Sequence, residues 1–453
     1  MSYSVISYDQ VKSGEDRKNI EFLRSVAAKC RKLLADANVT RYTCSVSRST
    51  NNEFNVDSGK FSLFRTQFTD GMSLSVYIGD KKGSASLSSS LAEDANIESA
   101  VRDAVASAHA AEDDPAWVVA PKEEDKIFLS GNLDFDRDAF FGRLAEFLDT
   151  VKTDYPLIML EQVISNHSRG INLYFNSSGT EYISLSGAYC SEYFYSAHDG
   201  DNSSSFMVSG YMFKDLDKPF VKIGNLEKSL KDAQNQIYTK PFAGKKIGKL
   251  IATPSLVDEL VSSALENFAD DYCILNGTSI WIDKLGKKVA DDRLTISFKT
   301  NGEDFVGGQA YSSEGYLTED YNIIDKGVLT NFDISAYTAN KTGYKRAPNG
   351  GSNMIIENGS KSIEDMIKET EFGIYVARFS GGAPSINGDF SGVAKNSFLI
   401  ENGKLTSALS ETMISGNLAD LLNNIVDISK EQEADGANLI PYISFDGVTI
   451  SGE

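Results

Sequence analysis

Imidazole and thiol are scarce in this chain. His109, His167 and His198 are its three histidines, and Cys30, Cys44, Cys190 and Cys273 are its four cysteines. The cysteines are far apart and show no C-x-x-C spacing, so neither a zinc ribbon nor a disulfide framework is indicated. A hydrolytic zinc site needs neutral imidazoles or thiolates around the ion and a carboxylate that can take a proton from bound water. No histidine follows His198 and no cysteine follows Cys273, so the C-terminal part of the chain cannot build that cage from its own side chains. His109 closes an amphipathic helix and reads as a partly buried or capping residue. His167, in Ser165-Asn-His-Ser-Arg169, reads as a solvated residue in a turn between strands. His198, beside Asp199 and Asp201, is the best placed of the three for acid–base or metal work. A serine hydrolase would need one of them beside an activated serine, and no G-x-S-x-G elbow nominates that serine. Gly244-Lys-Lys-Ile-Gly248-Lys249 has the wrong spacing for a phosphate loop and no Ser or Thr after it. Asp320, Asn322 and Asp325 hint at a calcium loop, but Gly327 falls at the eighth position rather than the sixth.

Carboxylates with a defined scaffold occur after Pro254. Thr253-Pro254 is a helix start, with a hydroxyl residue at the cap and proline in the first turn. Leu256, Val257, Leu260, Val261, Ala264, Leu265 and Phe268 then form an apolar stripe. Asp258, Glu259, Ser262, Ser263, Glu266 and Asn267 form the other face. Acidic residues in a helix's first turns are favoured by its dipole, so this face needs no catalytic role to explain it.

Other elements must hold that helix. Ile20, Leu23, Ala27, Cys30 and Leu34 predict a first helix, and Ile97, Val101, Ala104, Val105 and Ala108 a second over 97–111. Between them, Phe61 and Leu63 and the run Met72, Leu74, Val76, Ile78 alternate as strands, with Asp70-Gly71 as the turn. The stretch 113–125, with Pro115 and Pro121, reads as a connection. Phe140, Phe141, Leu144, Phe147, Leu148 and Val151 mark a third helix, and Asn176-Ser-Ser-Gly179 turns into a long strand. A further helix covers 226–237, and a boundary falls near Lys240-Pro241. Beyond it come short strands punctuated by Gly and Asn. Without regular βαβ alternation the fold class is α+β: an N-terminal mixed α/β region with antiparallel sheets and flanking helices, then a strand-rich domain, barrel-like or sandwich. The expected division is 1–122, 123–239 and 240–453.

Charge narrows the function classes. Lys and Arg number 44 against 64 Asp and Glu, a formal net charge of -20. Such a surface repels phosphate and disfavours direct nucleic-acid binding. Lys245, Lys246 and Lys249, the densest basic stretch, read as a solvated domain entrance. There is no signal-peptide pattern and no apolar run long enough to cross a bilayer. The expectation is a cytoplasmic protein with no membrane partner.

The order of several motifs resembles the TldD/PmbA family. Asn176-Ser-Ser-Gly-Thr-Glu181 is similar to the family's turn into a strand. Asn276-Gly-Thr-Ser279, with Lys284-Leu-Gly286 and Val289-Ala290, resembles its "G-T-S … G … V-A" block, and Asp325-Lys-Gly-Val-Leu329 with Ala336, Thr338 and Ala339 its "G-V-L … A" block. Asn353 and Glu357-Asn-Gly359 come next. Gly381-Gly382, Asn387-Gly-Asp-Phe390, Leu399-Ile-Glu-Asn-Gly-Lys404, Ser415-Gly-Asn417 and Asp446-Gly-Val-Thr-Ile450 resemble its glycine-rich core.

The resemblance implies a cytosolic two-subunit peptidase system, once named a modulator of DNA gyrase. Its TldD subunit binds zinc through H-E-x-x-x-H and a later cysteine, and its sister TldE or PmbA keeps the fold without those ligands. Aligning Leu265-Glu266 with the family's leucine-glutamate puts Asp258, Glu259 and Ser263 in the His, Glu and second His slots. The possible general base survives as Glu259, while both nitrogen ligands are gone. The expectation is a non-catalytic TldE/PmbA-like subunit with no zinc of its own, paired with an H-E-x-x-x-H partner, itself, or both. It would hold small or unfolded peptides, with Gly381 and Gly382 allowing close backbone approach. The alternatives are a stand-alone peptidase with a rebuilt site and a non-hydrolytic peptide-binding or regulatory protein.

Overall fold

The computed structural model describes residues 3–452 and arranges them around two sheets. The first contains β1 (Tyr3–Ile6), β2 (Arg41–Asp57), β3 (Lys60–Ile78), β4 (Lys81–Leu87), β5 (Lys126–Gly131), β6 (Ile158–Asn176), β7 (Glu181–Asp199), β8 (Asn202–Ser203) and β9 (Met207–Phe213). Its order is β1-β5-β7-β6-β2-β3-β4, with β8 and β9 attached to β7. Only β5 against β7 is parallel. Local chemistry sets the hairpins. Ser58 and Gly59 both take positive φ (49° and 71°) between β2 and β3, the conformation a two-residue hairpin loop needs. Between β6 and β7, Asn176 Oδ1 accepts the backbone N–H groups of Ser178 and Thr180 at 3.0 and 3.2 Å.

Helices α1 (Gly14–Asp36) and α2 (Asp94–Ala110) bury the expected stripes, including Ile20, Leu23, Leu34, Ile97 and Ala104, against β2, β3 and β6. Helix α3 (Arg137–Asp154) buries Phe140, Leu144, Phe147 and Val151 in a second cluster with Tyr189, Tyr193 and Tyr195 of β7. Helix α4 (Leu226–Asn235) adds Leu226 and Leu230 to it.

Asp70-Gly71 is not a turn. Strand β3 runs straight through it, with Gly71 opposite Ser47 in the ladder, and the Asp70 carboxylate takes Arg48 Nε and Nη2 at 2.8 and 3.0 Å. An acid held by a cross-strand guanidinium satisfies itself inside the sheet, which the dipeptide alone does not reveal.

The second sheet begins with β10 (Thr239–Pro241) and β11 (Gly244–Ala252), followed by α5 (Pro254–Phe268) and α6 (Asp271–Leu275). Then come β12 (Ile296–Phe298), β13 (Tyr321–Asp325), β14 (Val328–Leu329), α7 (Ala336–Thr342), β15 (Met354–Ile356) and α8 (Ile363–Lys368). The chain continues through β16 (Phe372–Gly381), β17 (Asp389–Glu401), β18 (Lys404–Ser410), β19 (Met413–Asn417), α9 (Leu418–Asn423), β20 (Ile425–Ala434) and β21 (Leu439–Gly452). Strand β11 pairs with β16 and β21, β16 with β17, β17 with β19, and β19 with β21. Those five strands close a barrel. Closure gives each of those five strands a neighbour on both sides, while the sheet continues past them to β10 and β14. The stripe of α5 packs on β16 and β21, and Leu256, Val257, Val261, Ala264 and Phe268 are sealed from solvent. The α+β architecture is therefore as the patterning predicts. No helix among the described residues is long and apolar enough to cross a membrane.

Candidate functional site

Helix α5 starts as the sequence dictates. Thr253 Oγ1 accepts the Leu256 N–H at 3.5 Å and donates to the Ala377 carbonyl of β16 at 3.1 Å, fixing the helix N-terminus to the barrel wall. With the apolar stripe committed to the core, Asp258 projects from the first turns into a cavity of about 140 Å³. The cavity lies where the two sheets meet. Its walls are Met207–Tyr211 of β9, Ser229 and Asp232 of α4, Thr253, Pro254 and Asp258 at the start of α5, and Tyr375 and Arg378 of β16. Asn396 of β17, Glu433 of β20 and Asp435 complete it. Asn225 and Glu433 also line a larger cleft of about 710 Å³ that carries Lys214, Lys218, Lys222, Glu303 and Asp304.

Burial governs the acids. Desolvation, with Asp435 as a like-charged neighbour, pushes the Asp258 carboxyl up to about 6. Its Oδ1 accepts Asn438 Nδ2 at 3.5 Å, and a hydrogen bond from the Ser262 side chain opposes the rise. Burial also raises Glu433, whose Oε1 accepts the Tyr211 hydroxyl at 3.0 Å. Asp435 Oδ1 accepts the backbone N–H groups of Ala437 and Asn438 at 2.7 and 2.6 Å. Asp232 is held by Lys228, which also donates to the Tyr375 hydroxyl at 2.9 Å.

Of the candidate site residues singled out from sequence, only Asp258 lines the cavity. Glu259 lies next to it on α5 and reaches solvent, its carboxyl raised by desolvation against the opposing pull of Arg378. Ser263, on the same helix, gives its backbone carbonyl to Asn267 Nδ2 at 3.0 Å. Gly381 and Gly382 lie on the β16–β17 hairpin, outside the cavity wall. Gly381 faces Gly392 across the ladder, and a Cβ there would meet the Phe379 ring at 2.6 Å, so packing alone requires a glycine. Nothing crowds Gly382.

The histidines lie elsewhere. His167 is not in a turn and not solvated: it sits mid-strand in β6, fully buried, between Phe135 and Tyr189. Its Nε2 pairs with the Asn132 carbonyl at 2.9 Å, and burial lowers its affinity for a proton. His109 is exposed in the last turn of α2 rather than partly buried. His198 Nε2 meets Ser196 Oγ at 2.8 Å, and that hydroxyl donates to Glu161 Oε1 at 3.0 Å. The serine thus stands between imidazole and carboxylate, the wrong order for a nucleophile–base–orienter relay.

The zinc that the family resemblance implies does not fit this donor set. Asp258, Glu259 and Ser263 supply oxygen only, and the Cys273 thiol is buried and pushed up to about 11, so a thiolate is not at hand. Among the described residues no group of three or more His, Cys, Asp and Glu could hold an ion.

The cavity residues the sequence did not single out are Asp232, Arg378, Asn396, Glu433 and Asp435. The available signal was the alternation of acids at Glu431, Glu433 and Asp435, which a strand delivers to one face.

The sequence profile of the PmbA/TldA metallopeptidase C-terminal domain matches residues 245–452, and that of PmbA/TldA metallopeptidase domain 1 matches residues 43–108. The chain belongs to the PmbA/TldD family. Metalloprotease PmbA of Escherichia coli O157:H7 is 34% identical over 174 residues, covering 37% of this chain and 38% of that protein. A metalloprotease PmbA homologue of Haemophilus influenzae is 24% identical over 85% of this chain and 87% of its own length. Among solved structures, TldE of Thermococcus kodakarensis superposes with a TM-score of 0.78 at 20% identity, covering 95% of this chain and all of that one. This PmbA/TldD chain thus shares its two-sheet fold with TldE.

Proposed function

We propose that this chain is a non-catalytic, TldE/PmbA-like subunit of a cytoplasmic zinc metallopeptidase complex acting on small or unfolded peptides. Its membership of a family whose curated relatives are named metalloproteases supports a proteolysis-related role. One observation carries the finer reading: of Asp258, Glu259 and Ser263 on α5 only Asp258 reaches the cavity, and among the described residues no imidazole or thiolate is grouped with them to hold an ion. Hydrolytic zinc is then supplied by a TldD-like H-E-x-x-x-H subunit. This chain contributes the cavity and adjoining cleft that hold an extended peptide, without contacting nucleic acid or membrane.

The test is to purify the chain alone and with a TldD-like partner, then measure zinc content, chelator-sensitive peptidase activity and complex formation. The expected result is no stoichiometric zinc and no activity alone, and a stable active complex with the partner. Stoichiometric zinc with chelator-sensitive turnover in the isolated chain would instead make it a stand-alone peptidase. A homodimer that binds peptide and ignores the partner would make it a binding or regulatory protein.

A further inference from the structure

Three carboxylates face the cavity without a cation of their own. Asp258 comes from α5, Glu433 from β20, and Asp435 follows β20; among the described residues none forms an ion pair. The wall carries two further charged groups, of opposite sign. Asp232 is taken by Lys228, and Arg378 Nη1 donates to the Phe206 carbonyl at 3.0 Å. The phenols of Tyr211 and Tyr375 are held well above their usual range by burial and stay neutral.

A second observation is independent of charge. Asn396 lines the same cavity at 2% exposure, in left-handed backbone (φ 49°), and its Oδ1 has no hydrogen-bond partner. Its amide nitrogen reaches the Ser205 carbonyl at 3.4 Å. An unpaired buried acceptor is destabilising, and a ligand N–H would remove that cost. The space is comparable to the roughly 150 Å³ cavity that admits benzene, enough for an ammonium head and a few methylenes.

We propose that this cavity binds a primary ammonium group carried by a peptide, with Asp258, Glu433 and Asp435 as counter-charges and Asn396 Oδ1 as a further acceptor. The peptide part rests on the proposed function, whereas the ammonium preference rests on the cavity alone. A peptide N-terminus and a lysine side chain offer the same head group. Affinity rises with pH through about 6, where Asp258 ionises, because the ammonium is attracted only to the carboxylate.

The test is calorimetric titration of the full chain with n-butylammonium and three tripeptides. These are Ala-Ala-Ala-amide, N-acetyl-Ala-Lys-Ala-amide and the uncharged N-acetyl-Ala-Ala-Ala-amide. At least one of the two charged peptides should bind at least about 30-fold more tightly than the capped one, and Asp258→Asn and Glu433→Gln should each erase most of that difference. Whichever charged peptide binds identifies the source of the ammonium. Equal binding of the neutral peptide overturns the ammonium site and leaves the peptide-holding reading intact. Binding of n-butylammonium without any peptide does the reverse, and no binding of any probe removes both. Undiminished ammonium binding by both variants also overturns the assignment.

Discussion

Replacing Asp258 by asparagine should stabilise this protein, and increasingly so as pH rises. In the folded chain the carboxyl is pushed from 3.8 up to about 6 by desolvation and by Asp435. An acid whose folded pKa is raised binds more protons folded than unfolded between those values, so its contribution to stability falls as pH rises through that window. Below it both states are protonated, and the variant, which is isosteric and permanently neutral, should match the wild type. At pH 5 the ionisation penalty is about 1–2 kcal/mol, and above the folded pKa it levels off at about 2–3 kcal/mol. The introduced amide would keep one acceptor oxygen for Asn438 or Ser262 and present a donor to Asp435, so only a weakened hydrogen bond works against the gain. Urea denaturation of both proteins at pH 5 and pH 8 reads the effect directly. A variant less stable at pH 8, or one whose advantage is the same at both values, would show that Asp258 is not a desolvated, uncompensated charge.

Distances in the core set two packing predictions. A Cβ at Gly83 of β4 would lie 2.1 Å from the Ala104 carbonyl and 2.2 Å from the Ala108 nitrogen of α2. Gly83→Ala must therefore lift that helix, and should cost about 2–3 kcal/mol in urea denaturation; an unchanged midpoint would refute the close contact. Phe268→Ala removes a sealed ring that packs on Trp281 at 5.0 Å and on Gly388, for an expected loss of about 3–5 kcal/mol. A loss under about 1 kcal/mol in the same assay would mean that the α5–barrel core is not as packed as described.

What the sequence conveyed was local. Helix α5 was legible with its Thr253 cap, because a hydroxyl, a proline and an apolar stripe at helical spacing sit next to one another. The turn at Asn176–Gly179 was legible for the same reason. His167 was misread because polar neighbours such as Ser165, Asn166 and Ser168 suggest a turn, whereas β2 and β7 on either side pull the segment into the sheet and Phe135 stacks over the ring. The cavity was nearly invisible. It assembles side chains from β9, α4, α5, β16, β17 and β20, and only Asp258 carried a motif-level hint. Asn396 has no local signature at all. Its significance comes from a left-handed backbone and an unpaired oxygen, and the burial that makes that oxygen matter comes only with the packed fold.

Closure has a temporal side. Strand β11 needs β21 on one flank and β16 on the other, and β19 joins β17 to β21. On a ribosome adding about 5–20 residues per second, β11 emerges many seconds before Leu439–Gly452 exists. Until then the α5 stripe has no roof, and nascent chains carry bare Leu, Val and Phe into the cell. A stalled or shortened message would therefore leave the barrel half as a sticky intermediate, while the first sheet, whose strands all precede β10, already has its partners.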